Sequence, residues 1–351
     1  MRWPDRATLL SLVRILVLAV AITVVLALIH VPSPALFGGL LAGMVHALTS
    51  RSELAIPPVT YRAAQAVVGA IIGTQISSEA LRELVTAAVP ILVVTTATVA
   101  VSVGGGLLLA RRGDVSPVTG VCAMIAGGAA GVVAVARDLG ADDRVVTVVQ
   151  YLRVAVVLLT LPVVTALVFD PDSGLGALTA ADVPIDRQLV YVAATVVIGL
   201  VAARLIPVTT TIILVPMLVG AVLSTTGWIG ELAVPGAVAS VAYALIGVQV
   251  GLRFTRASLA AIARMLPVVL AIIVGLIVTT GAMAAALARF TDVDGLTAYL
   301  ATTPGGLFAV LATAADTGSD VTYVMALQLF RLLVILAIVP FLARWLRPRA
   351  A

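Results

Sequence analysis

The chain has 351 residues, of which 62% are hydrophobic and only 11% charged, with a formal net charge of +4 and a mean hydropathy of +1.20. Soluble domains carry about a quarter charged residues, so this composition excludes an ordinary soluble globule, and the apolar content excludes a disordered chain. All 21 basic residues are arginines, nearly all set singly between apolar runs, which reads as topology marking and not as a nucleic-acid-binding face.

A hydrocarbon core about 30 Å thick takes about 20 apolar residues of helix to cross. In chain order the sequence predicts spans at residues 9–29, 36–48, 85–110, 145–169, 191–201, 212–223, 234–250, 265–288 and 321–342, within a total of ten to twelve hydrophobic segments. The shorter ones are expected to be tilted or re-entrant. Arg2 and Arg6 ahead of the apolar run from Ile15 resemble the start of a signal peptide, but no small-x-small cleavage site follows, so a retained first helix is expected. The texture breaks once, at residues 170–187, where Asp170, Asp172, Asp182 and Asp186 accompany Pro171, Gly174 and Gly176.

That break marks a junction between two matching halves. Displacing the chain by 178 residues lays 109–162 on 287–340 without a gap, with 21 identities over 54 positions. The polar matches are the informative ones: Arg111 on Arg289, Asp114 on Asp292, Asp138 on Asp316, Asp142 on Asp320, Gln150 on Gln328 and Arg153 on Arg331. Pro162 falls on Pro340, and upstream Gly69 and Gly73 fall on Gly247 and Gly251. The expected organisation is a membrane repeat at 9–169, an acidic connecting loop at 170–187 and a second membrane repeat at 188–347. Duplicated membrane halves are a common build of secondary transporters, with the site at the repeat interface. Arg2, Arg6, Arg51, Arg62, Arg111, Arg112, Arg204, Arg253, Arg256, Arg344, Arg347 and Arg349 fit cytoplasmic positions, while the acidic, arginine-poor middle loop fits the outside. That placement needs an odd number of crossings per half. The expected fold is therefore an all-α polytopic integral membrane protein of two tandem, inverted repeats, each with an interrupted helix; Arg137 and Arg144 fit this scheme less well.

The interruption is expected within 296–315, at Ala301-Thr302-Thr303-Pro304-Gly305-Gly306. Proline removes a backbone donor and disfavours helix before it, and glycine permits otherwise closed backbone angles and close approach. Thr302 and Thr303 are expected as caps for a half-helix starting near Leu307. A helix N-terminus opened inside a membrane suits an anion. The first half keeps Gly127 and Gly128 at the same place but has Ala126 where the second has proline. A proline kink that only shapes helix packing is the plainer alternative.

Arg331 lies 15 residues after Asp316, Arg153 the same interval after Asp138, and Gln328 and Gln150 precede their arginines by three residues on one helical face. Each arginine falls about ten residues, roughly 15 Å, into an apolar helix, where an ionisable side chain is expensive and faces a bundle interior or water. Two readings carry equal weight. In one, the arginines bind a carboxylate or phosphate ligand; in the other, they pair with aspartates or cap carbonyls freed by the broken helix. Asp316, Asp320, Asp138 and Asp142 are candidates for protonatable coupling or ion pairing, or else cap the intervening loop.

The Gly-x-x-x-Gly pairs Gly39/Gly43, Gly69/Gly73, Gly127/Gly131 and Gly247/Gly251 read as close helix packing. His30 and His46 have no partner at ligand spacing, and the single Cys122 excludes a disulfide framework, so no metal site is expected. Trp3, Trp228 and Trp345 fit interfacial anchors. No nucleophile–base–acid set can be assembled, so no catalytic residue and no cofactor are expected.

The duplicated unit, Thr302-Thr303-Pro304-Gly305-Gly306, the Asp316/Asp320 turn, the closing Gln328-x-x-Arg331 helix ending in Pro340, and His30-Val31-Pro32 before the glycines at 38–43 resemble the membrane AbrB duplication family over residues 10–345. The resemblance implies labels such as transcriptional regulator, regulator of the alkylation-response gene aidB, or ammonia monooxygenase. An oxygenase would need a copper or iron site that two histidines and one cysteine cannot easily build, and nothing in the chain reads bases, so any regulation is expected to be indirect. The resulting expectation is a secondary transporter of a small organic anion in the bacterial cytoplasmic membrane, its partners being the bilayer and the anion, without direct nucleic-acid contact and compatible with a homo-oligomer. A membrane-bound regulator is the alternative, and a metal-dependent monooxygenase the least favoured reading.

Overall fold

The computed structural model describes residues 6–50, 54–76, 87–111, 115–125, 132, 136, 140–169, 183–206, 211–227, 231–256, 260 and 263–346. Among these residues the fold is all-α. The helices are α1 (Arg6–Leu28), α2 (Pro34–Thr49), α3 (Pro58–Thr74), α4 (Ala88–Ala110), α5 (Pro117–Met124) and α6 (Asp143–Val164), which runs into a π turn at Thr165–Phe169 after Pro162. The rest are α7 (Ile185–Leu205), α8 (Thr211–Thr226), α9 (Gly236–Gly251), α10 (Leu266–Phe290), α11 (Gly295–Thr302), α12 (Leu307–Asp316) and α13 (Val321–Leu346). Prolines open several of them: Pro34, Pro58 and Pro117 occupy first positions and Pro267 the first turn of α10, where the missing N–H has no intrahelical acceptor anyway.

Five helices are long and apolar enough to cross a membrane: α1 from Leu10, α4, α6 with its π turn, α7 and α10. Leu10, Leu16, Val17 and Leu28 of α1 remain 60–73% exposed. Such a large apolar surface on a single helix is what a polytopic membrane fold turns to lipid. Helix α3 is absent from the spans anticipated above because Thr60, Tyr61, Arg62 and Gln65 dilute its first half. Most of the anticipated connecting loop, residues 170–182, lies outside the described residues, and α7 starts at Ile185 with Asp186 already in its first turn.

The helix starts recur at the sequence offset. Helices α3 and α9 begin at 58 and 236, α4 and α10 at 88 and 266, α5 and α11 at 117 and 295, and α6 and α13 at 143 and 321. Gly140 and Gly318, also 178 apart, both adopt positive φ (77° and 69°) ahead of α6 and α13.

The chain forms two compact units, each drawing helices from both sequence halves: residues 1–82, 159–256 and 308–322 in unit one, and 83–158, 257–307 and 323–351 in unit two. In unit one α2 packs on α9 and α3 on α8. The Gly-x-x-x-Gly pairs make this possible. A Cβ on Gly247 would overlap the Leu36 carbonyl oxygen, and one on Gly43 would come within 2.6 Å of the Val248 oxygen, so backbone lies directly on backbone. Gly69 and Gly73 meet Ile213 and Met217 of α8 in the same way. In unit two α4 packs on α5 and α10, and α10 on α11. Its core includes Val118, Val121, Val146, Val149, Val269, Ile273 and Ile335.

Candidate functional site

Unit two contains two half-helices of eight residues, α5 and α11. Both begin on a side-chain cap, which satisfies N–H groups that lack intrahelical acceptors. Ser116 Oγ accepts from the Thr119 N–H (3.2 Å), and Asp294 Oδ1 accepts from the N–H groups of Leu296 and Thr297 (2.9 and 3.1 Å). Both stop on an extended residue, Ile125 (ψ 129°) and Thr303 (ψ 128°). After Thr303 come the buried Pro304, then Gly305 at φ 145° and Gly306 at φ 71°, angles that side chains rarely adopt. Helix α12 starts directly afterwards.

A helix that stops inside a core leaves its last carbonyls without donors. Here two side chains one turn apart on a neighbouring helix supply them. Gln150 Nε2 donates to the carbonyls of Cys122 and Ile125 (2.8 Å each), and Arg153 Nη1 donates to that of Met124 (2.7 Å). Gln328 Nε2 donates to the carbonyls of Leu300 and Thr303 (3.1 Å each), and Arg331 Nη1 to those of Thr303 and Thr302 (3.0 and 3.4 Å). Each arginine also donates from Nη2 to the Oε1 of its own glutamine, Arg153 to Gln150 at 2.8 Å and Arg331 to Gln328. The donor set recurs at the 178-residue offset.

All four side chains are buried; the arginines are only 2% and 3% exposed. Their partners are carbonyls and glutamine oxygens, and no carboxylate pairs with either guanidinium among the described residues. Of the alternatives left open by the sequence, the aspartate pair is therefore absent from that set, and carbonyl capping is what the hydrogen bonds do. The Nε atoms of both arginines are buried without a partner. Arg153 Nε lies 3.6 Å from where a Cβ on Gly305 would stand.

The threonines behave differently from the expectation. Thr302 Oγ1 donates to the carbonyls of Thr280 and Tyr299 (3.2 Å each), and Thr303 Oγ1 donates to that of Tyr299 (2.7 Å). Both hydroxyls turn back on upstream carbonyls and do not cap the helix starting at Leu307, because threonine in a last helical turn finds acceptors three and four residues behind it.

The aspartates separate. Asp142 caps α6, its Oδ1 accepting from the N–H groups of Arg144 and Val145 (3.0 and 3.2 Å). Asp316 ends α12 in unit one, buried, and accepts from the backbone N–H of Ser33, a residue held in the left-handed region at φ 52°. The Ser33 contact crosses 283 residues of sequence and had no signal there. Asp320 immediately precedes α13. Gly127, Gly128 and Asp138 lie outside the described residues.

A cleft of about 580 Å³ opens in unit two between α4 and α10, with Ser102, Gly105, Met124, Ile272 and Gly275 in its walls. No three His, Cys, Asp or Glu side chains converge among the described residues.

The profile of the family described as "Transition state regulatory protein AbrB" matches residues 2–88 and 35–347. The chain belongs to the AbrB family. An Escherichia coli (strain K12) protein named "Putative regulator AbrB" is 32% identical over 331 residues, covering 94% of each chain. The family resemblance carried by the 302–306 break and the Gln328-x-x-Arg331 helix is thereby borne out. The name of the Escherichia coli relative describes a regulator.

Proposed function

We propose that this AbrB-family chain is a secondary transporter of a small organic anion in the bacterial cytoplasmic membrane. The observation that carries the reading is the pair of buried guanidiniums in unit two, each fixed by carbonyls at the end of a broken helix, with an Nε–H left over. Protein interiors rarely leave such a donor unmet, and intramembrane ionisable groups mark substrate or ion pathways. On this reading Arg153, Arg331, Gln150 and Gln328 shape the anion site. Thr302, Thr303, Pro304, Gly305 and Gly306 form its backbone wall, Gly127 and Gly128 the corresponding stretch of the first half, and Asp316 and Asp320, with Asp138 and Asp142, the coupling or ion-pair groups.

The recurrence of helix starts and capping bonds at 178 residues supports a tandem duplication, and the arginine distribution supports its inverted orientation. Proteoliposomes holding the purified chain are expected to accumulate labelled carboxylates when a proton gradient is imposed, and Arg331→Ala to abolish the uptake. Absence of both uptake and ligand-dependent stabilisation across a broad anion panel overturns the proposal. A second reading, indirect regulation of gene expression from the membrane, is favoured by the relative's name; it predicts a stable protein partner on affinity purification from membranes.

A further inference from the structure

Unit one holds a buried carboxylate. Asp316 closes α12 and accepts from the Ser33 N–H at the start of α2, and no arginine or histidine pairs with it among the described residues. Ser33 stands at the positive end of α2 and Asp316 at the negative end of α12. Those ends carry about half a charge each and cancel, so about one negative charge stays unbalanced among the described groups. A buried charge is costly without a partner.

Three hydroxyls of unit one accompany it, each on a residue more than nine-tenths buried and each without a partner among the described residues: those of Ser33, Tyr243 and Thr313. Their places follow from separate observations. Covalent geometry keeps Ser33 Oγ within about 4 Å of the nitrogen that meets the carboxylate. Thr313 precedes Asp316 by three residues on the same face of α12. Gly247 meets Leu36 and Leu40, and Gly251 meets Leu40 and Met44, so α2 and α9 run in the same direction and Tyr243 comes level with Ser33. The Tyr243 hydroxyl is also within Coulombic range of the Asp316 carboxylate. The hydroxyls of Thr98, Ser102, Thr280 and Thr317 turn back on carbonyls three or four residues behind them, whereas that of Thr313 leaves this acceptor unused.

One carboxylate with neutral oxygens is a hard-ligand set, suited to a hard cation. The charge balance selects among such ions. A monovalent cation neutralises the cluster, while a divalent one would leave a buried positive charge. We infer that Asp316, Ser33, Thr313 and Tyr243 form a binding site for a monovalent alkali cation, which ties α2, α9 and α12 together within unit one. The inference rests on this cluster and not on the transport reading, so neither falls with the other.

Thermal unfolding of the purified chain in phosphatidylcholine nanodiscs tests this, with NaCl or KCl replacing choline chloride at constant ionic strength. A saturable rise in Tm with Na⁺ or K⁺ is expected, because a ligand bound by the folded state alone stabilises it. MgCl₂ at matched ionic strength should give no larger rise. Tyr243→Phe and Thr313→Val each remove one oxygen at nearly constant volume, and valine is the residue at the corresponding position of the first half, Val135. Each should raise the half-saturating concentration about tenfold. Asp316→Asn can still accept from the Ser33 N–H but lacks the charge, so it should lose the response and, in choline, unfold no lower than the parent. A parent chain no more stable in Na⁺ or K⁺ than in choline overturns the inference, since its carboxyl is then neutralised by its own proton. A rise that persists unchanged in Asp316→Asn, or in both hydroxyl variants, places the ion elsewhere and also overturns it, as does a larger rise with Mg²⁺. Should Asp316→Asn not fold, binding of radiolabelled Na⁺ or Rb⁺ to Tyr243→Phe and Thr313→Val in the same nanodiscs decides: binding equal to the parent's refutes the site.

Discussion

The Gln328–Arg331 clamp makes a prediction that can be worked from its bonds. Arg331→Met keeps the unbranched stem but removes the bond to the Thr303 carbonyl (3.0 Å) and the longer one to Thr302 (3.4 Å), and strips Gln328 Oε1 of its donor. Hydrogen bonds between membrane helices average about 0.6 kcal/mol and reach about 1.7, while a buried acceptor left unmet costs about 1–3 kcal/mol. Removing an under-compensated buried charge works in the opposite direction, so the single variant alone does not decide. The double-mutant cycle does. Gln328→Met leaves Arg331 Nη2 without its acceptor, Arg331→Met leaves Gln328 Oε1 without its donor, and the double variant leaves neither. The double variant is therefore expected to be less destabilised than the sum of the singles by about 1–3 kcal/mol. Reversible unfolding in mixed micelles, followed by far-UV circular dichroism, measures this. Singles that add to within about 0.5 kcal/mol would refute the clamp. The Gln150–Arg153 cycle should give a coupling of the same size, since its Nη2–Oε1 bond (2.8 Å) corresponds to that of Arg331 with Gln328.

Three further outcomes are expected. Gly247→Leu drives a side chain into the Leu36 carbonyl and must separate α2 from α9; overpacking costs about 1–3 kcal/mol or more, and thermal unfolding in detergent should show it, while Gly275→Ala, which meets nothing within 4 Å, should unfold as the parent does. Asp294→Ala removes the acceptor for two N–H groups at the start of α11 and should cost about 1 kcal/mol in the same assay, with Asp294→Ser recovering most of it. Asp316→Ala leaves the buried Ser33 N–H without its acceptor and should cost about 1–3 kcal/mol; faster amide hydrogen exchange at Leu36 and Phe37, whose N–H groups bond back to Ser33, would localise the effect to the start of α2.

Periodicity was not what made this fold legible; length, composition and self-similarity were. Runs near 20 apolar residues mark α1, α4, α6 and α10 directly because lipid permits few alternatives to a continuous helix, whereas α7 showed in the sequence only as the shorter stretch 191–201. Helix α3 escaped because hydropathy counts Thr60, Tyr61 and Arg62 of its first turns against a span, although its second half from Ala64 is buried and packs on α8 and α9. The break at 303–306 was legible because Pro304, Gly305 and Gly306 act locally. The directions of Thr302 and Thr303 were not, since a hydroxyl at a helix junction can serve either side and only packing against Thr280 decides. Likewise, spacing put Gln328 and Arg331 on one face, but which carbonyls they reach depends on where α11 ends in space. The Asp316–Ser33 bond joins distant segments through a backbone donor, which carries no residue signature.

The clamp is indifferent to the side chains of the residues it holds and exacting about its own. Its acceptors are backbone carbonyls, which any residue supplies, so Cys122, Met124 and Ile125 can differ from Leu300, Thr302 and Thr303 at every position while receiving corresponding bonds. Its donors are specific. Glutamine must give two N–H bonds to two carbonyls and still present Oε1, and arginine must reach a carbonyl and that Oε1 from different nitrogens of one plane. A lysine offers three donors from a single point and no such fork. Gln-x-x-Arg therefore recurs at 150–153 and 328–331 when the residues it holds do not. The same division shows how the guanidiniums are used: in each, Nη1 closes the half-helix and Nη2 holds its own glutamine, while Nε–H is buried without a partner.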